Sequence, residues 1–68
     1  MNNFEFKVSN GFVLFENAKK RVLIPICNIV EIRETENGCV IETNKHEDKF
    51  HLNISFNVLL IRLGFYSD

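Results

Sequence analysis

The fold of this chain is decided by residues 22–43, which read VLIPICNIVEIRETENGCVIET. The apolar alternation at its start is interrupted by Pro25, which has no N–H and therefore belongs at a strand end, an edge or a bulge. We expect the third strand of the chain to bend there, to pass through a corner at residues 27–29, and to continue as residues 30–34. The rest of the chain is expected to pack around this bent strand.

A tight turn follows at residues 37–38, because an Asn-Gly pair readily adopts the positive φ angles of a hairpin turn. The chain then returns antiparallel as a fourth strand. The sequence leaves two registers open for this hairpin. A two-residue loop would place Arg33 opposite Glu42, whereas a four-residue loop would place Ile32 opposite Ile41. Both registers keep the two isoleucines on the same face of the sheet.

The first hairpin is indicated by residues 4–8, where apolar and charged side chains alternate with the period of a half-buried strand. A second Asn-Gly pair at residues 10–11 predicts a type I′ turn. The return strand, residues 12–16, then places Phe6 opposite Phe15. The same two-residue loop places Val8 opposite Val13.

Both faces of the first hairpin are predicted to be apolar. Val13 and Phe15 lie on one face of the return strand, so Phe12 and Leu14 must lie on the other. A sheet with one solvent-exposed face would carry polar residues at these positions. One face therefore needs a cover, and the sequence leaves open whether this cover is the C-terminal helix or a second subunit.

Residues 55–63 are predicted to form the C-terminal helix. Ser55 is placed to cap its first turn, and Gly64 is placed to end it in a left-handed conformation. The helix carries an apolar stripe with spacings of three, four and seven residues, formed by Phe56, Leu59, Leu60 and Leu63. The opposite side carries Val58 and Ile61, which indicates a contact beyond the core of one subunit.

These elements predict an α+β fold, namely a five-stranded antiparallel β-meander with one C-terminal α-helix packed on the sheet. The sheet is expected over residues 3–53, with residues 50–52 as its fifth strand. Residues 1–68 are expected to form a single domain.

The small size of the chain favours self-association. A core built from about 70 to 80 residues or fewer rarely supplies more than about 3 to 5 kcal/mol. This 68-residue chain nevertheless contains seven Phe, which is more aromatic surface than one small core needs. We therefore predict a homo-oligomer whose interface includes Phe12, Leu14, Val58, Ile61 and Phe65.

A second class of partner is indicated by the basic triplet Lys19, Lys20 and Arg21, together with Tyr66. Basic residues bind phosphates and aromatic rings stack on bases. The alternative function is therefore capture of a small signalling nucleotide at a subunit interface. Weak binding of nucleic acid through the same triplet is a further alternative, but it is less favoured because the net charge is −1 and three basic residues fall short of a basic stripe.

The sequence predicts no enzyme, cofactor or metal site. Cys27, Cys39, His46 and His51 are of the types that bind zinc, but no pair has the close spacing of a zinc motif. The cysteines are expected to be reduced, small core residues. No signal-peptide pattern or apolar run of about 20 residues is present, so we expect a cytoplasmic location and no membrane partner.

The order of these features over residues 12–63 resembles the small β-meander-plus-helix proteins of the flagellar FlbD-like type. The matching positions are Asn28 and Ile29 at the corner, the alternation at residues 30–32, the return strand at residues 40–43, and the Ser55 cap. Similar short proteins occur in phages and mobile elements. The resemblance implies this fold and carries over no chemistry.

The expected function is therefore a small, non-catalytic binding or assembly module. The most concrete role is that of an accessory protein or inhibitor from a phage or mobile element, acting on a host protein.

Overall fold

The computed structural model describes residues 3–44 and 49–66. These residues form an α+β fold with six strands in two antiparallel sheets and one short helix. The first sheet contains β1 (Glu5–Ser9), β2 (Phe12–Glu16) and β3 (Arg21–Pro25), in that order. The second contains β4 (Ile29–Thr35), β5 (Gly38–Thr43) and β6 (Phe50–Leu52). A 3-10 helical turn (Ile26–Asn28) joins the two sheets, and the helix α1 (Phe56–Arg62) follows β6.

The prediction of one five-stranded meander is wrong, because the expected bent third strand is divided into β3 and β4 in different sheets. The division follows Pro25, whose nitrogen lies on the edge of β3 that faces away from β2, a position that tolerates proline. The N–H of Ile26 makes the last hydrogen bond of this ladder, to the carbonyl oxygen of Gly11 at 2.9 Å, and the 3-10 turn then leads the chain into the second sheet. At the other end of the turn, the carbonyl oxygen of Asn28 accepts from the N–H of Asn44 at 3.0 Å. The corner is thus hydrogen-bonded to both sheets.

The predicted register of the first hairpin is confirmed. Phe6 lies opposite Phe15 in the antiparallel pair of β1 and β2. The turn residues Asn10 and Gly11 have φ angles of 54° and 81°, the positive values that a type I′ turn requires. The local sequence is therefore sufficient to align these two strands.

The second hairpin adopts the register in which Ile32 lies opposite Ile41. Thr35 and Gly38 are the last paired residues, so the loop consists of Glu36 and Asn37 and Gly38 belongs to β5 itself. The prediction of a turn at residues 37–38 is therefore wrong, and this register is reached with a loop of two residues instead of four. Gly38 lies in the strand against the backbone of Leu52, where a Cβ would not fit. The ladder is irregular between Ile29 and Glu31, where a bulge changes the alignment of β4.

Phe4 joins the edges of the two sheets instead of extending the first hairpin. Its N–H donates to the carbonyl oxygen of His51 at 2.8 Å, and Phe4 forms a parallel bridge with Leu52. The edge strands β1 and β6 are therefore neighbours at this one position.

The core lies between the two sheets and under the helix. The rings of Phe15 and Phe50, one from each sheet, are stacked with centroids 4.1 Å apart and planes 8° from parallel. Phe4 meets Phe50 edge-on at 5.1 Å. The buried cluster consists of Phe6, Val13, Phe15, Ile24, Cys39, Ile41, Phe50, Leu52 and Leu59.

The helix has the predicted ends. The hydroxyl of Ser55 accepts from the N–H of Val58 at 3.1 Å, and Gly64 has a φ of 84°. The N–H of Phe65 donates to the carbonyl oxygen of Leu60 at 2.9 Å, as in a Schellman cap. In residues 3–44 and 49–66, no helix is long and apolar enough to cross a membrane.

Replacing Gly38 with alanine is expected to destabilise the protein by about 3 to 5 kcal/mol. An added Cβ would overlap the backbone carbonyl oxygen of Leu52, and the φ of 149° is strained for other residues. The matched control is Gly64→Ala, at a positive φ but in open space, with an expected loss of about 1 to 2 kcal/mol. Urea unfolding of both variants measures the difference, and equal losses would contradict the close approach at Leu52.

Candidate interaction surface

The outer face of the first sheet carries an apolar cluster, which we call the outer patch: Phe12, Leu14, Leu23 and Pro25. The strand register places Phe12 opposite Pro25 and Leu14 opposite Leu23. Leu23 is 62% exposed and Phe12 is 42% exposed, while the other two side chains are half-buried. Four neighbouring apolar side chains on two adjacent strands form one continuous surface.

The strand alternation explains why this surface is apolar. Val13 on β2 and Ile24 on β3 lie opposite each other and are fully buried in the core. Their sequence neighbours must therefore point to the other side of the sheet. Neither the second sheet nor α1 covers Leu23, which is exposed on this face.

Charged residues of both signs border the outer patch. The Nζ of Lys7 lies 3.6 Å from Oε1 of Glu16, which is itself opposite Arg21 on β3. Lys7 is opposite Leu14, so this ion pair lies directly beside the apolar cluster. The surface thus has an apolar centre and a charged rim, which is typical of protein contact surfaces.

β3 also presents an unpaired backbone edge. The N–H of Asn17 donates to the carbonyl oxygen of Lys20 at one end of the β2 and β3 pair. The alternation of an antiparallel ladder then places the N–H and C=O of Leu23 on the side away from β2. No strand in the described part of the chain pairs with that side. The edge strand β4 of the second sheet carries a bulge and charged side chains, features that protect sheet edges.

The structure divides the five predicted interface residues between two surfaces. Phe12 and Leu14 belong to the outer patch, whereas Val58, Ile61 and Phe65 are exposed on or just after α1. The three helix-side residues are joined by Tyr66, whose ring lies 5.3 Å from that of Phe65.

Sequence reasoning missed Leu23, the most exposed member of the outer patch. The signal was present in the turn at residues 17–20, because a four-residue connection sets Leu23 opposite Leu14. The side chain of Asn17 defines this turn by accepting from the N–H groups of Lys19 at 2.8 Å and Lys20 at 3.0 Å.

The basic triplet lies in and just after this same turn. Lys19, Lys20 and Arg21 are exposed, and Glu16 lies beside them. A shallow cavity of about 350 Å³ is lined by residues 16–21, and Tyr66 does not take part in it. The structure therefore does not bring the predicted nucleotide-binding residues together in this cavity.

The two cysteines have different environments. Cys39 is buried as predicted and its thiol donates to the carbonyl oxygen of Ile54 at 3.2 Å. Burial raises the pKa of the Cys39 thiol, and the carboxylate of Glu34 raises it further. The prediction of a core position is wrong for Cys27, which is exposed in the turn between the sheets, where the division of the strand directs it outward.

No metal centre is present among the described residues, where no three His, Cys, Asp or Glu side chains are grouped suitably. His51 is half-buried on β6, while His46 lies outside the described residues. Cys27 and Cys39 are both free thiols.

Comparison with known proteins yields no relative. No protein-family model, no characterised protein and no solved structure matches this chain. The resemblance to FlbD-like proteins therefore stays a sequence-based expectation, and the functional argument depends on the surfaces alone.

The two thiols are expected to react at very different rates with Ellman's reagent. Cys27 should react quickly, and Cys39 at least about 100-fold more slowly, because burial and the raised pKa disfavour its thiolate. The variant Cys27→Ser should lose the fast phase, and urea should restore fast reaction at Cys39. Two fast thiols in the folded protein would contradict the burial of Cys39.

Proposed function

We propose that this chain is a non-catalytic binding module that associates with a second copy of itself through the outer patch. One observation carries the proposal. Leu23 places a largely exposed leucine side chain and an unpaired backbone edge next to each other, on a face that none of the described strands or helices covers.

A second copy suits this surface because its charges are self-complementary. The outer face carries the cations Lys7 and Arg21 and the anions Glu5 and Glu16, which sum to zero. A two-fold axis brings the same surface of both copies together, so cations of one copy can face anions of the other. A surface with a single charge sign would instead repel its own copy.

The size of the surface favours weak association. Three strands about 4.8 Å apart, each of five residues rising about 3.3 Å, give a face of roughly 250 Å². Stable complexes bury about 800 Å² on each partner. We therefore expect a reversible, concentration-dependent dimer, with the β3 edge and charged rim adding to the contact.

The module acts in this proposal by occupying a partner surface and not by turnover. An accessory protein of a phage or mobile element would likewise act on a host protein by binding it. Both self-association and binding to a host protein would use the outer patch.

Replacing Leu23 with lysine is expected to weaken self-association about 100-fold or more, because each dimer loses two buried leucines and gains two opposed charges. The matched control is Val30→Lys on β4, which introduces the same charge at a position 58% exposed and outside the outer patch. Sedimentation velocity over a concentration series measures both variants.

The wild-type protein and Val30→Lys should exceed the monomer mass of 8.0 kDa as concentration rises. Leu23→Lys should stay at that mass. The proposal is overturned if the wild-type protein remains monomeric at millimolar concentration, or if both variants weaken association equally.

A further inference from the structure

A cleft opens where β1 and the chain after β6 diverge. Phe4 pairs with Leu52, but beyond this bridge β1 continues along β2 while Asn53 and Ile54 lead into α1. The space between them measures about 620 Å³ and is bordered by β1 on one side and by Asn53, Ile54 and Arg62 on the other. Its volume lies within the range of about 300 to 1,000 Å³ that is usual for ligand sites.

The β1 side of the cleft is an open backbone edge. Ser9 and Phe12 flank the two-residue turn and form a hydrogen-bonded pair, so hydrogen bonds to β2 fall at alternate residues of β1. The N–H and C=O groups of Phe6 and Val8 therefore point away from β2; Phe6 borders the cleft, and Val8 lies on the same edge just beyond it. Among the described residues, no backbone hydrogen bond satisfies them from that side. Open groups of this kind can pair with an added strand.

The opposite side of the cleft supplies a positioned cation. The guanidinium carbon of Arg62 lies 5.5 Å from the centroid of the Phe6 ring, which holds the side chain over the cleft. No carboxylate in the described part of the chain forms an ion pair with Arg62. Lys7 also borders the cleft, but Glu16 offsets its charge, and Glu5 contributes one anion on the β1 side. The unpaired charge on the helix side is therefore positive.

We propose that this cleft binds an extended segment of a partner protein that carries a carboxylate side chain. The backbone of the segment would hydrogen-bond to Phe6 and Val8 as an added strand. Its carboxylate would meet Arg62, whose planar group favours two parallel hydrogen bonds to such an anion. This mode takes its affinity from the backbone and its selectivity from alternate side chains.

The cleft contains none of the four residues of the outer patch, although Glu5 and Lys7 border both surfaces. The ring of Phe6 points into the core side of the first sheet, whereas the outer patch lies on the opposite face. Peptide binding at the cleft therefore does not depend on self-association. The two proposals can fail independently.

Affinity selection tests this inference, with a pool of acetylated octapeptides in which each position is Val, Thr, Asp or Lys. The pool is passed over the immobilised full chain, and retained peptides are sequenced by mass spectrometry. We expect the retained peptides to be enriched in Asp, flanked by Val or Thr. In ¹⁵N spectra they should shift the amides of Phe6, Val8 and Arg62 and leave that of Leu23 unchanged.

Two variants separate the cleft from general charge effects. The variant Arg62→Gln should bind the selected peptides with an affinity at least about tenfold lower. Arg33→Gln is the matched control, because Arg33 is an exposed arginine on β4 that pairs with Glu31 at 3.4 Å. Two N-methylated versions of a selected peptide should differ, because only every second N–H of an added strand faces β1. The version methylated at those N–H groups should not bind, and the version methylated at the intervening residues should bind.

The inference is overturned if the pool yields no enrichment, if the retained peptides lack Asp, or if both arginine variants bind equally well. It is also overturned if Leu23→Lys abolishes peptide binding, since the peptides would then occupy the outer patch. Loss of dimer formation in Leu23→Lys with peptide binding intact would support both proposals.

Discussion

The stacking of Phe15 on Phe50 is the contact on which the rest of this structure depends. Each ring comes from a different three-stranded sheet, and the stacking removes the apolar inner faces of both sheets from water. Phe4 packs edge-on against both rings, at 6.4 Å from Phe15 and 5.1 Å from Phe50. It is also the residue whose backbone bridges β1 to β6. One aromatic cluster thus determines how the two sheets meet, and Leu59 of α1 closes the same core.

A core held between two small sheets leaves the outer face of the first sheet largely exposed, whereas Val40 on the outer face of the second sheet is only 5% exposed. The seven phenylalanines fall into three groups. The buried ones are Phe6, Phe15 and Phe50, those at the margin of the core are Phe4 and Phe56, and the exposed ones are Phe12 and Phe65. The excess of aromatic surface in the sequence is therefore smaller than the composition suggests. What remains is concentrated in the outer patch and at the end of α1, where contact with another molecule is the simplest way to remove it from water.

The candidate surface could be predicted only in part. Phe12 and Leu14 follow from the hairpin register, which two adjacent turn residues set. Leu23 and Pro25 complete the outer patch only through pairing of β2 with β3, and this pairing depends on the Asn17 turn. The cleft at Arg62 could not be predicted from the sequence, because it depends on how far β1 and residues 53–54 separate after Phe4. No local pattern in the sequence encodes that separation.

The sequence by itself determined the parts of this protein that depend on neighbouring residues: the Asn10-Gly11 hairpin, the alternation of each strand, and the Ser55 and Gly64 ends of the helix. These follow from backbone sterics and from hydrogen bonds that span a few residues. Only the tertiary structure decided that residues 22–34 divide between two sheets, that Cys27 is exposed, and that Leu23 has no cover. Those outcomes depend on which distant surfaces pack together, and packing free energy is a property of the whole chain.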